Sequence, residues 1–148
     1  MPRPRLKYAK EARQLYYVSR TVLHMSRRTR AEDYHYIDAE AVTGIWRRSQ
    51  GRPLAIVGWV CEDLGKPKLN ALITAKARNM PGPGFFCAPD WFREPITNAE
   101  YPAYIERVLA EQDYPDLPLS VFVAADEAQQ QHFAEYHAEM VGTENDDE

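Results

Sequence analysis

A helix that is apolar almost all the way round must be wrapped by the rest of its protein, and residues 53–64 read as such a helix. Leu54, Ala55, Ile56, Val57, Trp59, Val60 and Cys61 leave it no solvent face. Pro53 suits a first helical position and Gly65 a left-handed stop. The run from Leu54 to Cys61 falls far short of the ~20 residues a membrane span needs. It is therefore expected to be a core helix, and the remaining chain must supply its cover.

The cover is expected to be mixed. Residues 5–28 predict a long helix with a buried stripe of Tyr8, Ala12, Leu15, Val18, Val22 and Met25. Asp38 predicts the N-cap of a second helix reaching about Ser49, with Ile37, Ala41, Ile45 and Trp46 as its apolar side and Gln50-Gly51-Arg52 ending it. Leu69–Lys76 predicts a strand, Asn79 to Gly84 a Pro/Gly turn, and Phe85–Cys87 a returning strand. Thr97 and Glu100 stand at capping-box spacing for a helix to about Gln112. Ser120–Ala124 predicts a short strand and Ala125–Val141 a last helix. The fold expected from this order is α/β in the α+β sense: one helix-rich domain over 1–141 with a small sheet or β-hairpin. It would comprise a basic helix at 5–28, a winged-helix-like unit at 38–87, acidic helices at 98–141, and an acidic tail at 142–148.

Charge is sorted along the chain. Residues 1–30 carry nine Lys/Arg against Glu11, residues 31–99 are neutral, and residues 100–148 carry thirteen acids against Arg107. Such a dipolar chain pairs its ends or presents each to a partner. Two cysteines, Cys61 and Cys87, are too few for a disulfide framework. With charge but no apolar h-region near residue 1, a cytoplasmic location is expected.

Two surfaces stand out as binding sites. Lys10, Arg13, Tyr17, Arg20, His24 and Arg27 step by three and four residues, so they line one helix face. Cations interleaved with an aromatic suit phosphate contact with base stacking, although a solvated or internally paired face has the same pattern. The second surface is the loop region of Asn70, Lys76, Arg78, Pro81, Gly82 and Gly84, whose bared amides could hold an anion. It lacks P-loop or dinucleotide spacing. A winged helix reading duplex DNA would need Arg, Lys, Asn or Gln on the helix at 53–64, which instead offers Leu54–Cys61 and then Glu62-Asp63.

The pattern Pro67-x-Leu69-Asn70-Ala71-Leu72-Ile73, followed by Met80-Pro81-Gly82-x-Gly84-Phe85, resembles a motif of small uncharacterised prokaryotic and phage proteins, with Met80 where leucine is usual. The resemblance covers about residues 52–87. It implies a shared fold element and a partner-binding accessory role, with no activity attached.

The function expected is non-catalytic recognition of a protein partner or a phosphate-bearing ligand, nucleic acid or nucleotide included, in an inhibitory or sequestering role. A homo-oligomer is compatible with this, and no cofactor, metal or membrane is expected. The competing readings are a small enzyme on a nucleotide or other anion, using Lys76 or Arg78 with Cys87 or a histidine, and a winged-helix nucleic-acid binder. A cleft joining Asn70, Lys76, Arg78 and a histidine would favour the enzyme. Phe85 and Phe86 sealing that space would remove it.

Overall fold

The computed structural model describes residues 3–29, 34–76, 80–82, 85–86, 89–111 and 113–146, with side chains over 6–25 of the first helix and 119–140 of the last. The elements are α1 (Arg3–Thr29), α2 (Tyr36–Thr43), α3 (Gly51–Asp63), α4 (Tyr101–Ala110) and α5 (Leu119–Asp146). Short 3₁₀ turns occupy Arg47–Ser49, Leu69–Leu72 and Asn98–Glu100. The α/β expectation is overturned: the fold is all-α, with no sheet among the described residues.

At the centre of the fold lies α3, with Ile56, Val57 and Cys61 wholly shielded from solvent. Two long helices pack on it. From α1 come Ala9, Ala12, Leu15, Tyr16, Ser19, Val22 and Leu23, so the buried stripe is rotated slightly from the expected one and leaves Met25 exposed. From α5 come Phe122, Ala125, Asp126 and Gln129, a helical spacing that brings Phe122 against Tyr16 with ring centres 5.4 Å apart. Burying a side chain such as Phe122 or Ile56 stabilises the fold by about 1.5–3 kcal/mol each.

The expected strand at 69–76 is a 3₁₀ turn followed by single bridges, His35 with Thr74 and Ala75 with Met80. Leu69 to Thr74 are all buried, so this segment has no solvent face to alternate against. Its backbone is met partly by these bridges and, with that of Pro67 and Lys68 just before it, by tyrosine hydroxyls. Tyr101 donates to the Ala71 carbonyl at 2.7 Å, Tyr114 donates to that of Pro67 at 2.6 Å, and Tyr104 accepts from the Lys68 amide at 2.6 Å. Phe86 makes one bridge to Ile96 instead of returning as a strand. Among the described residues no strands pair into a wing, so the winged-helix reading of 38–87 falls with the sheet.

Two boundaries also move. The second helix is capped by His35, with Asp38 at the third position accepting from the His35 amide at 2.9 Å, and it stops at Gly44 in the left-handed region. Gly51, expected to end that helix, opens α3. The expected strand at Ser120–Ala124 is the first part of α5, which runs to Asp146, well into the segment read as a tail. The Thr97–Glu100 capping box forms as expected and leads through a 3₁₀ turn into α4.

Candidate functional site

Where α3 begins, the chain turns sharply and places three arginines within six residues: Arg47, Arg48 and Arg52. They converge on a cleft of about 420 Å³ that also takes in Tyr36, Gly51, Leu54, Ala55, Asn70, Pro81, Gly82, Phe85, Trp91 and Phe92. That size falls within the range of small-molecule pockets. The cleft thus joins the start of α3 to the 70–82 segment and to the loop before α4.

Each cation is held differently. Arg52 bonds Asp126, donates to Gln129 Oε1 at 2.5 Å, and lies 4.8 Å over the Trp91 ring. Burial lowers its pKa and Asp126 opposes that shift. Gln129 completes the knot by donating to the carbonyls of Ala55 at 3.0 Å and Trp91 at 2.7 Å, which ties α5 to α3 and to the cleft wall. Arg47 faces Glu40 at 3.6 Å, while its amide donates to the same carboxylate at 2.8 Å. Arg48 is exposed and lies 5.9 Å from the Trp46 ring, with no carboxylate partner among the described residues.

The inner wall is aromatic and is braced from behind. Buried Lys68 lies 4.2 Å from the Phe92 ring and 5.5 Å from that of Phe85, and its Nζ donates to the Glu94 carbonyl at 2.8 Å. On the loop side, the Gly82 amide donates to the Tyr36 hydroxyl oxygen at 2.7 Å. Gly58 lets Phe92 approach α3: a Cβ there would stand 2.6 Å from the Phe92 ring. Asn70 lines the cleft and is 5% exposed; its Oδ1 makes no hydrogen bond among the described residues and lies on the α3 side, 3.2 Å from where a Cβ on Gly58 would stand.

Of the expected loop site, Asn70, Pro81 and Gly82 line this cleft. Lys76 is exposed and is not among the lining residues. Arg78, Gly84 and Cys87 lie outside the described residues. Arg47, Arg48 and Arg52 are not among the expected binding residues, although three arginines in six residues at the start of a helix is a legible signal.

The α1 face is a different surface. Lys10, Arg13 and His24 are exposed. Arg20 bonds Asp116 at 2.5 Å and lies 5.1 Å from the Tyr17 ring. The Tyr17 hydroxyl donates to the Leu117 carbonyl at 3.3 Å and accepts from the Leu117 amide at 3.1 Å, so its polar end is engaged within the chain. A shallower hollow of about 400 Å³ adjoins Tyr17, Arg20, His24 and Asp116. The side chain of Arg27 lies outside the described ones. The acid that α5 buries, Asp126, pairs with α3 rather than with the α1 stripe.

Burial pushes the Cys61 thiol up to about 12, and it accepts from the Leu69 amide. His35 pairs with Thr74 at 3.0 Å, His132 with the Pro89 carbonyl at 2.7 Å, and His137 with Asp90 at 3.2 Å. Among the described residues no three His, Cys, Asp or Glu side chains stand close enough to hold a metal ion. Nor is any described helix long and apolar enough to cross a membrane. Set against models of protein families, curated proteins and solved structures, the chain matches none of them.

Proposed function

We propose that this chain is a non-catalytic recognition module that holds a phosphate-bearing ligand in the cleft at the start of α3. The observation that carries this reading is the convergence of Arg47, Arg48 and Arg52 on one aromatic-walled concavity. Arginine forks match phosphate oxygens, and low-dielectric walls strengthen the attraction. The described lining holds no cysteine, histidine or carboxylate, which supports recognition over turnover.

The test is calorimetric titration with pyrophosphate and with single-stranded DNA across a salt series. An Arg47→Glu/Arg48→Glu variant and an Arg13→Glu/Arg20→Glu variant accompany the parent. The expected result is binding that weakens with salt, is lost in the first variant and is kept in the second. Loss in the second variant alone would move the site to α1.

A second reading has an observation of its own. Ile37, Val42 and Trp46 are exposed apolar side chains on and just beyond α2, and Arg47 and Arg48 flank them. The combination supports docking of an acidic protein segment, read by apolar contact and charge together. Weaker retention of an acidic amphipathic peptide by Trp46→Ser, with pyrophosphate binding intact, would favour it.

A further inference from the structure

We infer that the strength with which the cleft holds its anion is set from outside it, by Phe133 and His137 of α5 acting as positioning residues for Trp91. This rests on the anion-binding reading above and deepens it, because it names what controls the wall of that site.

Trp91 lines the cleft from a turn at 89–91, not from a helix or strand. It is only partly buried, so its neighbours rather than the core set the tilt of its ring. Arg52 lies 4.8 Å from the ring centre. Phe133 of α5 lies 4.5 Å from it at an interplanar angle of 30°, a near-stacked pair. His137 continues the row: its ring centre stands 4.2 Å from that of Phe133, and its Nε2 meets the Asp90 carboxylate at 3.2 Å. Guanidinium, indole, phenyl, imidazole and carboxylate thus form one series that runs from a cleft arginine to the surface.

The series closes on itself, which makes it a clasp. Phe133 and His137 are four residues apart on α5 and share a face, while Trp91 and Asp90 are neighbours in the turn. Two points on the helix grip two consecutive residues of the loop, which fixes the rotation of the indole as well as its distance. One turn earlier on α5, Gln129 donates to the Trp91 carbonyl and His132 Nε2 to that of Pro89, each at 2.7 Å. Those bonds hold the backbone, and the ring stack orients the side chain. Neither Phe133 nor His137 is among the cleft's lining residues, and the His137 side chain is 50% exposed. Their effect on a ligand therefore passes through Trp91. A wall ring that swings gives up part of the fixed, low-dielectric concavity that strengthens attraction for an anion.

The experiment is a calorimetric titration of the full chain with pyrophosphate, with thermal melts alongside. It compares the parent with Phe133→Ala, Phe133→Tyr, His137→Ala, Trp91→Ala and the Trp91→Ala/Phe133→Ala pair. Phe133→Ala is expected to weaken binding about fivefold, the size of one lost stacked aromatic pair, and Phe133→Tyr to restore it. His137→Ala is expected to weaken it about twofold, since its ion pair is exposed. In the Trp91→Ala background, Phe133→Ala is expected to leave affinity where it is, because the route runs through that ring. A merely structural Phe133 would lower affinity by the same factor in both backgrounds, which would overturn the inference. Parental affinity in Phe133→Ala, or an equal fall in Phe133→Ala and Phe133→Tyr, would also overturn it while leaving the anion site standing. Should Phe133→Ala not fold, the same cycle run with His137→Ala at its exposed position decides. Failure of pyrophosphate to bind the parent, or binding untouched by Arg47→Glu/Arg48→Glu, would remove the cleft reading and this one together.

Discussion

The α1 face and the α3 cleft are built from the same ingredients, arginines beside aromatic rings, and the fold treats them in opposite ways. On α1 the cations lie along one helix face that borders the more open hollow. Arg20 reaches out to Asp116, whose side chain is 84% exposed, and Tyr17 has its hydroxyl engaged by Leu117. At the cleft Arg52 is sunk against a carboxylate with no solvent exposure and a tryptophan ring, so the concavity around it keeps its shape. The difference lies in the burial of the partner each cation meets. A charge paired with an exposed carboxylate is screened by water and its loss costs little. A charge paired with a buried one is held in place beside the cleft.

The comparison breaks most visibly at Arg52. Arg52→Ala leaves Asp126 buried and unpaired, and chemical denaturation is expected to show a loss of about 3–5 kcal/mol. Much of that should return in Arg52→Met/Asp126→Leu. A loss below about 1 kcal/mol would put the cleft arginine on the same footing as those of α1.

Alkali acts beneath both surfaces. Burial pushes the Cys61 thiol and the Tyr104 phenol each up to about 12. The folded state therefore keeps protons that the unfolded chain releases from about pH 9 upward. Their contribution is complete below the unfolded pKa and is lost as pH rises through the folded one, at about 1.4 kcal/mol per pH unit for each group. Lys68, lowered by burial, works in the opposite sense in the same region. Urea midpoints taken from pH 8 to 11 should fall with pH, and less steeply in Cys61→Ala. A flat profile in the parent would contradict the shielding of this core.

A smaller effect sharpens the contrast from the cleft side. Gly58→Ala drives a methyl group into Phe92, an overpacking expected to cost about 1–3 kcal/mol and to displace a ring that lines the cleft. Ligand affinity should fall with stability, whereas Ala12→Gly, within α1, should lower stability alone. Smallest of all is Arg20→Ala, expected to change stability by about 1 kcal/mol or less. A double-mutant cycle with Asp116→Ala should then show weak coupling.

Local chemistry in the sequence was enough to read α1, α3 and the Thr97–Glu100 cap, because periodicity, proline placement and capping act within a few residues. The strand expected at Leu69–Lys76 failed for a long-range reason. Backbone groups of Pro67, Lys68 and Ala71 are met by Tyr114, Tyr104 and Tyr101, thirty or more residues away, and nothing local marks these as partners. Ser120–Ala124 failed because its β-branched side chains suit a strand in isolation, whereas burial of Phe122, Ala125 and Gln129 follows a helical repeat. Half of the site was legible for the same reason: Asn70, Pro81 and Gly82 sit in an unusual local sequence, while the clustering of Arg47, Arg48 and Arg52 is local but the aromatic wall opposite them, Trp91 and Phe92, is brought there by tertiary folding.

The hydroxyl of Tyr16 donates to the Pro115 carbonyl at 2.7 Å, and Tyr17 meets Leu117 exactly one hundred residues along the chain. During synthesis α1 therefore emerges about 100 residues ahead of the loop that fastens it, an interval of roughly 5–20 s at ordinary elongation rates. Throughout that time its apolar stripe lacks both this anchor and the face of α5. A chain halted before residue 113 holds neither acceptor, so α1 then has its packing on α3 but lacks the two tyrosine anchors that fix it to the later loop.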